Sequence, residues 1–234
     1  MLSRRTAMLS LSAMSGAVFA STANASQSCE VFNPQTQAAT TPDAALQLLK
    51  DGNARFLKNE MRNCDMRKLV GATAEQQSPI ATIVGCIDSR VPPEMVFDQR
   101  IGDIFSARIA GNFVNTDILG SLEFATKAAG SKLIVVLGHS NCGAIKGAVD
   151  DVKLGNLTAT LANIRPSLAK LNYSGVPSSK NKELVQKLAD QNAKDAAKMI
   201  MDKSEVIAAL VKEGKVKVVS AMHDLSTGKV SFFA

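Results

Sequence analysis

The sequence has no tryptophan, one tyrosine and nine phenylalanines, so aromatic residues fill only 4% of its 234 positions. Without aromatics interleaved among its lysines and arginines it lacks the stacking platforms of a nucleic-acid reader, and no nucleic-acid partner is expected. The core has to be built from aliphatic side chains and alanine, as suits helices packed on a parallel sheet. Histidine is scarce, at two residues, and cysteine stops at four, none in a Cys-x-x-Cys pair, which disfavours a dithiol redox centre. The apolar run from Ala7 to Ala20 is too short and too rich in Ser and Ala for a good membrane span. No internal repeat or low-complexity tract is visible.

What is present is ordinary in bulk: 46% hydrophobic and 21% charged residues, enough for one globular domain. The formal charge of +6 includes Arg4 and Arg5; removing them leaves 6 − 2, or +4, with lysines and acids mixed along helices as on a solvated face. Residues 1–25 read as an export signal. Ser3-Arg4-Arg5 precedes the apolar run, and Ala23-Asn24-Ala25 offers the small residues a signal peptidase cuts after. The paired arginines resemble a twin-arginine signal, so a periplasmic or secreted location, reached by Sec or twin-arginine export, is expected, with no membrane partner after cleavage. Residues 26–40 carry Pro34 and no periodicity and read as a linker or arm; residues 41–234 read as the domain.

Within that domain Thr41-Pro42-Asp43 marks a helix start: a capping hydroxyl, a proline at the first helical position and an acid at the positive end of the dipole. Leu46, Leu48 and Leu49 form its apolar face, and Gly52-Asn53 is expected to stop or kink it before a further turn carrying Phe56 and Leu57. A polar connection then leads to Gln77-Ser78-Pro79. Short β-branched runs predict strands at 80–84, 104–110 and 132–137, with later strands at 215–222 and 229–233. Helices are predicted at 116–129, with Phe124 on the buried side, and at 142–149, 156–171 and 182–210. Helices alternating with strands imply crossover connections, hence an α/β fold with a mostly parallel central sheet flanked by helices.

Chemistry concentrates just after two of these strands, where open α/β sheets place their sites. In Cys86-Ile87-Asp88-Ser89-Arg90 the thiol and the carboxylate are two residues apart, on one side of an extended chain. In Gly138-His139-Ser140-Asn141-Cys142-Gly143 an imidazole and a second thiol share a strand-to-helix turn. Two thiolates, an imidazole and a carboxylate suit zinc, so Cys86, Asp88, His139 and Cys142 are its candidate ligands. A buried inert cysteine would explain Cys86 alone, and a satisfied turn histidine His139 alone, but not all four at adjacent strand ends. Arg90 offers a bidentate partner to Asp88 should the carboxylate leave the metal. Cys29 and Cys64 stand outside this pattern, either as a disulfide tying down the arm or as two unpaired thiols.

The Cys86–Arg90 motif, Arg108-Ile109-Ala110-Gly111-Asn112, Ser121-Leu122-Glu123-Phe124-Ala125, the Gly138–Ala144 motif and the closing Asp224-Leu225-Ser226-Thr227-Gly228 together resemble the β-class carbonic anhydrases, from about Asp43 to Val230. The resemblance implies reversible hydration of CO2 to bicarbonate, one Zn2+ per subunit held by Cys86, His139 and Cys142, and Asp88 either as fourth ligand or turned to Arg90. It further implies that Gln77 and the Gly143 amide meet substrate oxygens, that Phe105 and Ala110 line the CO2 pocket, and that an N-terminal helical arm joins a homodimer or homotetramer. Ile83 stands where some bacterial members place a tryptophan of an inhibitory bicarbonate site, whose arginine corresponds to Arg108, so that inhibition is not expected. His223 is the sole imidazole left to shuttle protons, though a packing or surface role suits it better. Two other readings stay open: a zinc protein closed by Asp88 that scaffolds or senses bicarbonate, and a related hydrolase of CS2 or COS.

Overall fold

The computed structural model describes residues 29–233; the expected export signal, 1–25, lies outside them. Five strands form one sheet in the order β2-β1-β3-β4-β5: β1 (Ala81–Gly85), β2 (Ile104–Arg108), β3 (Leu133–His139), β4 (Lys217–His223) and β5 (Val230–Phe232). The first four run parallel, and β5 turns back antiparallel on β4. The central strands β1 and β3 are buried along their whole length, as their uninterrupted aliphatic runs require of a sheet covered on both faces. From β1 the chain passes to β2 on one side and then to β3 on the other. The carboxyl ends of β1 and β3 therefore flank the point where the winding reverses, the crevice in which open α/β sheets bind ligands.

Ten α-helices accompany the sheet among the described residues: α1 (Pro34–Ala39), α2 (Pro42–Lys58), α3 (Met66–Thr73), α4 (Pro93–Val96), α5 (Thr116–Glu123), α6 (Gly143–Val149), α7 (Gly155–Ala162), α8 (Arg165–Lys170), α9 (Lys182–Lys203) and α10 (Glu205–Lys212). None is long and apolar enough to cross a membrane. The segment read as an aperiodic linker contains α1. Asn33 and Thr36 close a capping box around its first turn, with Pro34 at the first helical position. The Gln37 side chain then docks this helix by donating to the carbonyls of Pro79 and Ala129, at 2.7 and 2.8 Å.

The expected stop at Gly52-Asn53 does not occur, and α2 runs through it. A side-chain carbon on Gly52 would lie 1.8 Å from the Phe97 carbonyl oxygen, so this glycine serves close approach to the end of α4. Asn53 is buried, donating to the carbonyls of Val96 and Gly228 and accepting from the Val230 amide. The polar connection that follows contains α3, capped by Asp65. The helix after Asn115 changes to a π-helical turn at Phe124–Ala128, which swings Phe124 out to 55% exposure instead of burying it. Gly130, at φ +78°, closes that turn. The long helix expected over 182–210 breaks at Ser204, whose hydroxyl accepts from the Ile207 amide to start α10.

Candidate metal centre

Cys86 follows β1, and His139 ends β3 three residues before Cys142, which precedes α6. The parallel pairing of β1 with β3 sets these two strand ends side by side. Cys86, His139 and Cys142 are all buried, with one ligand atom from each within 4.8 Å of the others, and the two sulfurs are 3.9 Å apart. Asn141, at φ 57°, makes the left-handed turn between imidazole and thiol that asparagine tolerates. The Ser140 amide donates to the His223 carbonyl, and the Leu225 amide donates to the Ser140 hydroxyl, so the end of β4 braces the turn.

The donor set fits a soft divalent cation. Nδ1 of His139 lies 3.0 Å from the Ser140 carbonyl, which can only accept, so Nδ1 carries the proton and Nε2 presents its lone pair. That Nε2 is buried without a hydrogen-bond partner among the described residues, an orphan that a metal would satisfy. A hydrogen bond from the Cys142 thiol lowers the Cys86 pKa to about 4 against the cost of burial, helped by His139 and by the amides of Gly111 and Asp88. Cys142 is pushed up by sharing its proton with Cys86 and by burial, while the amides of Ile145 and Ala144 pull the other way. The two thiols thus share a proton, and a cation between them would favour both as thiolates.

Asp88 stands aside from this trio. Its carboxylate accepts from Arg90 Nη2 at 2.7 Å, Nε at 2.9 Å and the backbone amide at 3.0 Å, while Oδ2 is 3.9 Å from His139 Nε2. Of the two placements expected for Asp88, the structure holds the one paired to Arg90, leaving Cys86, His139 and Cys142 as the converging donors. Arg90 hydrogen bonding keeps the Asp88 pKa well below the usual carboxylate range, outweighing partial burial. Arg108 secures the loop from behind, donating to the carbonyls of Cys86 at 2.8 Å and Asp88 at 2.6 Å. A cavity of about 480 Å3 opens beside Arg90, walled by Phe56, Leu57, His223 and Leu225 among others.

The remaining expectations divide. Gly143 opens α6 directly after Cys142 and is exposed, with space where a side-chain carbon would sit. Ala110, half-buried, lies in the turn whose Gly111 amide reaches Cys86. Phe105 sits on the row of Thr82, about 13 Å back along the strands from Cys86 at ~3.3 Å per residue, with its ring 6.2 Å from that of Phe124. It is not among the residues lining the cavity beside Arg90. Gln77 is exposed and makes no hydrogen bond among the described residues. Ile83 is a fully buried core residue. His223 is 3% exposed, so it is not a surface residue; it lines the cavity beside Arg90, neither ring nitrogen is partnered among the described residues, and burial lowers its pKa. Cys29 and Cys64 form a disulfide.

The family pattern described as carbonic anhydrase matches residues 81–230. The chain is 31% identical over 199 residues to carbonic anhydrase 2 of Mycobacterium tuberculosis, covering 81% of this chain and 92% of that protein. Among solved structures it is similar to the β-carbonic anhydrase CafA of Aspergillus fumigatus, with a TM-score of 0.62 and 28% identity over 82% of this chain and 89% of that one. A structure described among two tetrameric β-carbonic anhydrases of Sordaria macrospora gives a TM-score of 0.61 and 26% identity, over 69% of this chain and 83% of that one.

Proposed function

The chain belongs to the β-class carbonic anhydrases, and from that premise we propose how its residues divide the work of hydrating carbon dioxide to bicarbonate and a proton. Cys86, His139 and Cys142 would hold one zinc ion per subunit, which would supply the Lewis acidity that makes water a nucleophile at neutral pH. Arg90 holds Asp88 turned from the three donors, where the carboxylate would accept a hydrogen bond from the attacking water and direct a lone pair at the carbon. The Gly143 amide donates to a substrate oxygen, and Ala110 keeps the approach apolar. The observation that carries this reading is the cluster of three convergent donors whose nearest carboxylate is turned to an arginine.

The proposal extends to assembly and location. Phe105, on the edge strand β2 and remote from the three donors, and Gln77, exposed ahead of β1, would meet the pocket of a second copy in a homodimer or homotetramer. The Cys29–Cys64 disulfide, together with the sequence at 1–25 that reads as an export signal, supports a periplasmic or secreted protein, since such bonds persist in oxidising compartments.

Zinc content and stopped-flow CO2 hydration test the division of labour on wild type and Asp88→Asn. Wild type should carry one zinc per chain and turn over, and the variant should keep its zinc while slowing roughly 10- to 100-fold, the usual cost of losing a partner group around a metal. Zinc-loaded wild type without hydration activity overturns the proposal.

A further inference from the structure

The thiolate most exposed to adjustment in this site is Cys86, and its sulfur has a neighbour no motif announces. The Gly111 amide donates to Cys86 Sγ at 3.3 Å. Gly111 is the least constrained kind of residue in the least common conformation, at φ +84°. It must be glycine, because an added side-chain carbon would lie 2.5 Å from Ile164 Cδ1 and 3.2 Å from the Ala144 side chain. A freely rotating residue does not by itself hold an amide on a sulfur; something has to fix its other peptide plane. Two bonds do so: within the turn the Asn112 amide donates to the Ile109 carbonyl at 3.0 Å, and from outside it Asn192 Nδ2 donates to the Gly111 carbonyl itself at 2.8 Å. Asn192 is 3% exposed, in the middle of α9, the helix that packs across β3 and β4. It comes from a part of the chain 81 residues further on and touches none of the three metal-holding side chains through a hydrogen bond.

We infer that Asn192 is a positioning residue for the metal centre: by clamping the Gly111 carbonyl it holds the Gly111 amide on Cys86 Sγ, and so sets the orientation and electron donation of that thiolate. This rests on the zinc reading given above. An N–H bond to a thiolate withdraws charge from sulfur, and partners of this kind tune metal sites as much as the ligands do. Burying an amide side chain costs free energy unless it is hydrogen-bonded, so its carboxamide on α9 is held in place by the bond it makes.

The test uses the cobalt(II)-substituted full chain, in which the thiolate-to-metal charge-transfer band reports on sulfur, together with chelator competition for zinc. Asn192→Leu and Asn192→Asp both remove the donor at nearly constant size. Ile200→Val, further along the same helix and buried away from the site, is the control for lost stability. With the amide no longer held on sulfur, both Asn192 variants should move the band to longer wavelength and bind zinc roughly 10- to 100-fold more weakly, while Ile200→Val does neither. A band at the wild-type wavelength in either folded, cobalt-loaded Asn192 variant overturns the inference. So does a comparable shift in Ile200→Val, or failure of both Asn192 variants to fold, since Asn192 would then serve the fold alone. Folded Asn192 variants that no longer take up metal support it. Wild type that takes up neither metal sinks the zinc reading instead.

Discussion

Arg90 meets Asp88 through two guanidinium nitrogens and its own backbone amide, which makes the pair a fixed fork and not a passing surface contact. Because the folded pKa of Asp88 lies below its unfolded value of about 4, the pair's contribution is fully present above that pH and is lost only as pH falls through the lower folded value. Across pH 5–9 Asp88 therefore stays ionised, and a fall in hydration rate anywhere in that window comes from another group. Arg90→Ala frees the carboxylate to turn to the three donors and should lower neutral-pH hydration roughly 10- to 100-fold with zinc retained. Arg90→Lys, which offers a point charge instead of a fork, should restore only part of that rate in the same stopped-flow assay. An unchanged rate in Arg90→Ala would show that Asp88 needs no acceptor. At this scale the three donors were legible, since His-x-x-Cys places two of them within local reach and Cys86 ends the neighbouring strand run, whereas whether Asp88 turns to the trio or to Arg90 was left open by the sequence. Asn192 and the Gly111 amide were not legible, because a carboxamide mid-helix and a peptide group carry no sequence signal until the fold brings them together.

Elements of this chain are set by contacts that reverse local rules. Alanine is better than glycine inside a helix by about 1 kcal/mol, so propensity alone would make Gly52→Ala stabilising. Yet the added carbon would meet the Phe97 backbone at 1.8 Å, and backbone cannot rotate away as a side-chain tip can. Overpacking of this kind costs about 3 kcal/mol, so the net change should be a destabilisation of about 2 kcal/mol, read from urea unfolding. A more stable Gly52→Ala would mean that α2 and α4 separate freely. The same tertiary demand explains why Gly52-Asn53 resembles a helix stop in sequence while α2 passes through it. The helices α1 and α3 were hidden for another reason: their caps, Asn33 and Asp65, sit in polar stretches too short for apolar periodicity to declare itself. The strands were the most legible part, because β1 and β3 are buried on both faces and their aliphatic runs are unbroken.

For the molecule as a whole, the arm is fastened by the Cys29–Cys64 disulfide, by the Arg100 guanidinium donating to the Glu30 carbonyl, and by Gln37 donating to the carbonyls of Pro79 and Ala129. The disulfide closes a loop with a sequence separation of 35, and such a link contributes about 2–4 kcal/mol. Reduction, or Cys29→Ser with Cys64→Ser, should lower Tm by roughly 4–16 °C for a chain of this size and leave zinc content unchanged. A Tm insensitive to reductant would mean that the arm's other contacts suffice. Cys86 and Cys142, by contrast, are 56 residues apart along the chain and 3.9 Å apart in space, joined only after β1 has paired with β3. Non-local pairing of that kind forms late, because loop-closure entropy is spent before any contact rewards it. The site is thus a product of folding and not a nucleus for it. On the proposed route out of the cytosol, a chain threaded unfolded through a translocon leaves with no place for its ion and draws zinc from the medium it enters, whereas one exported folded carries the metal chosen inside the cell.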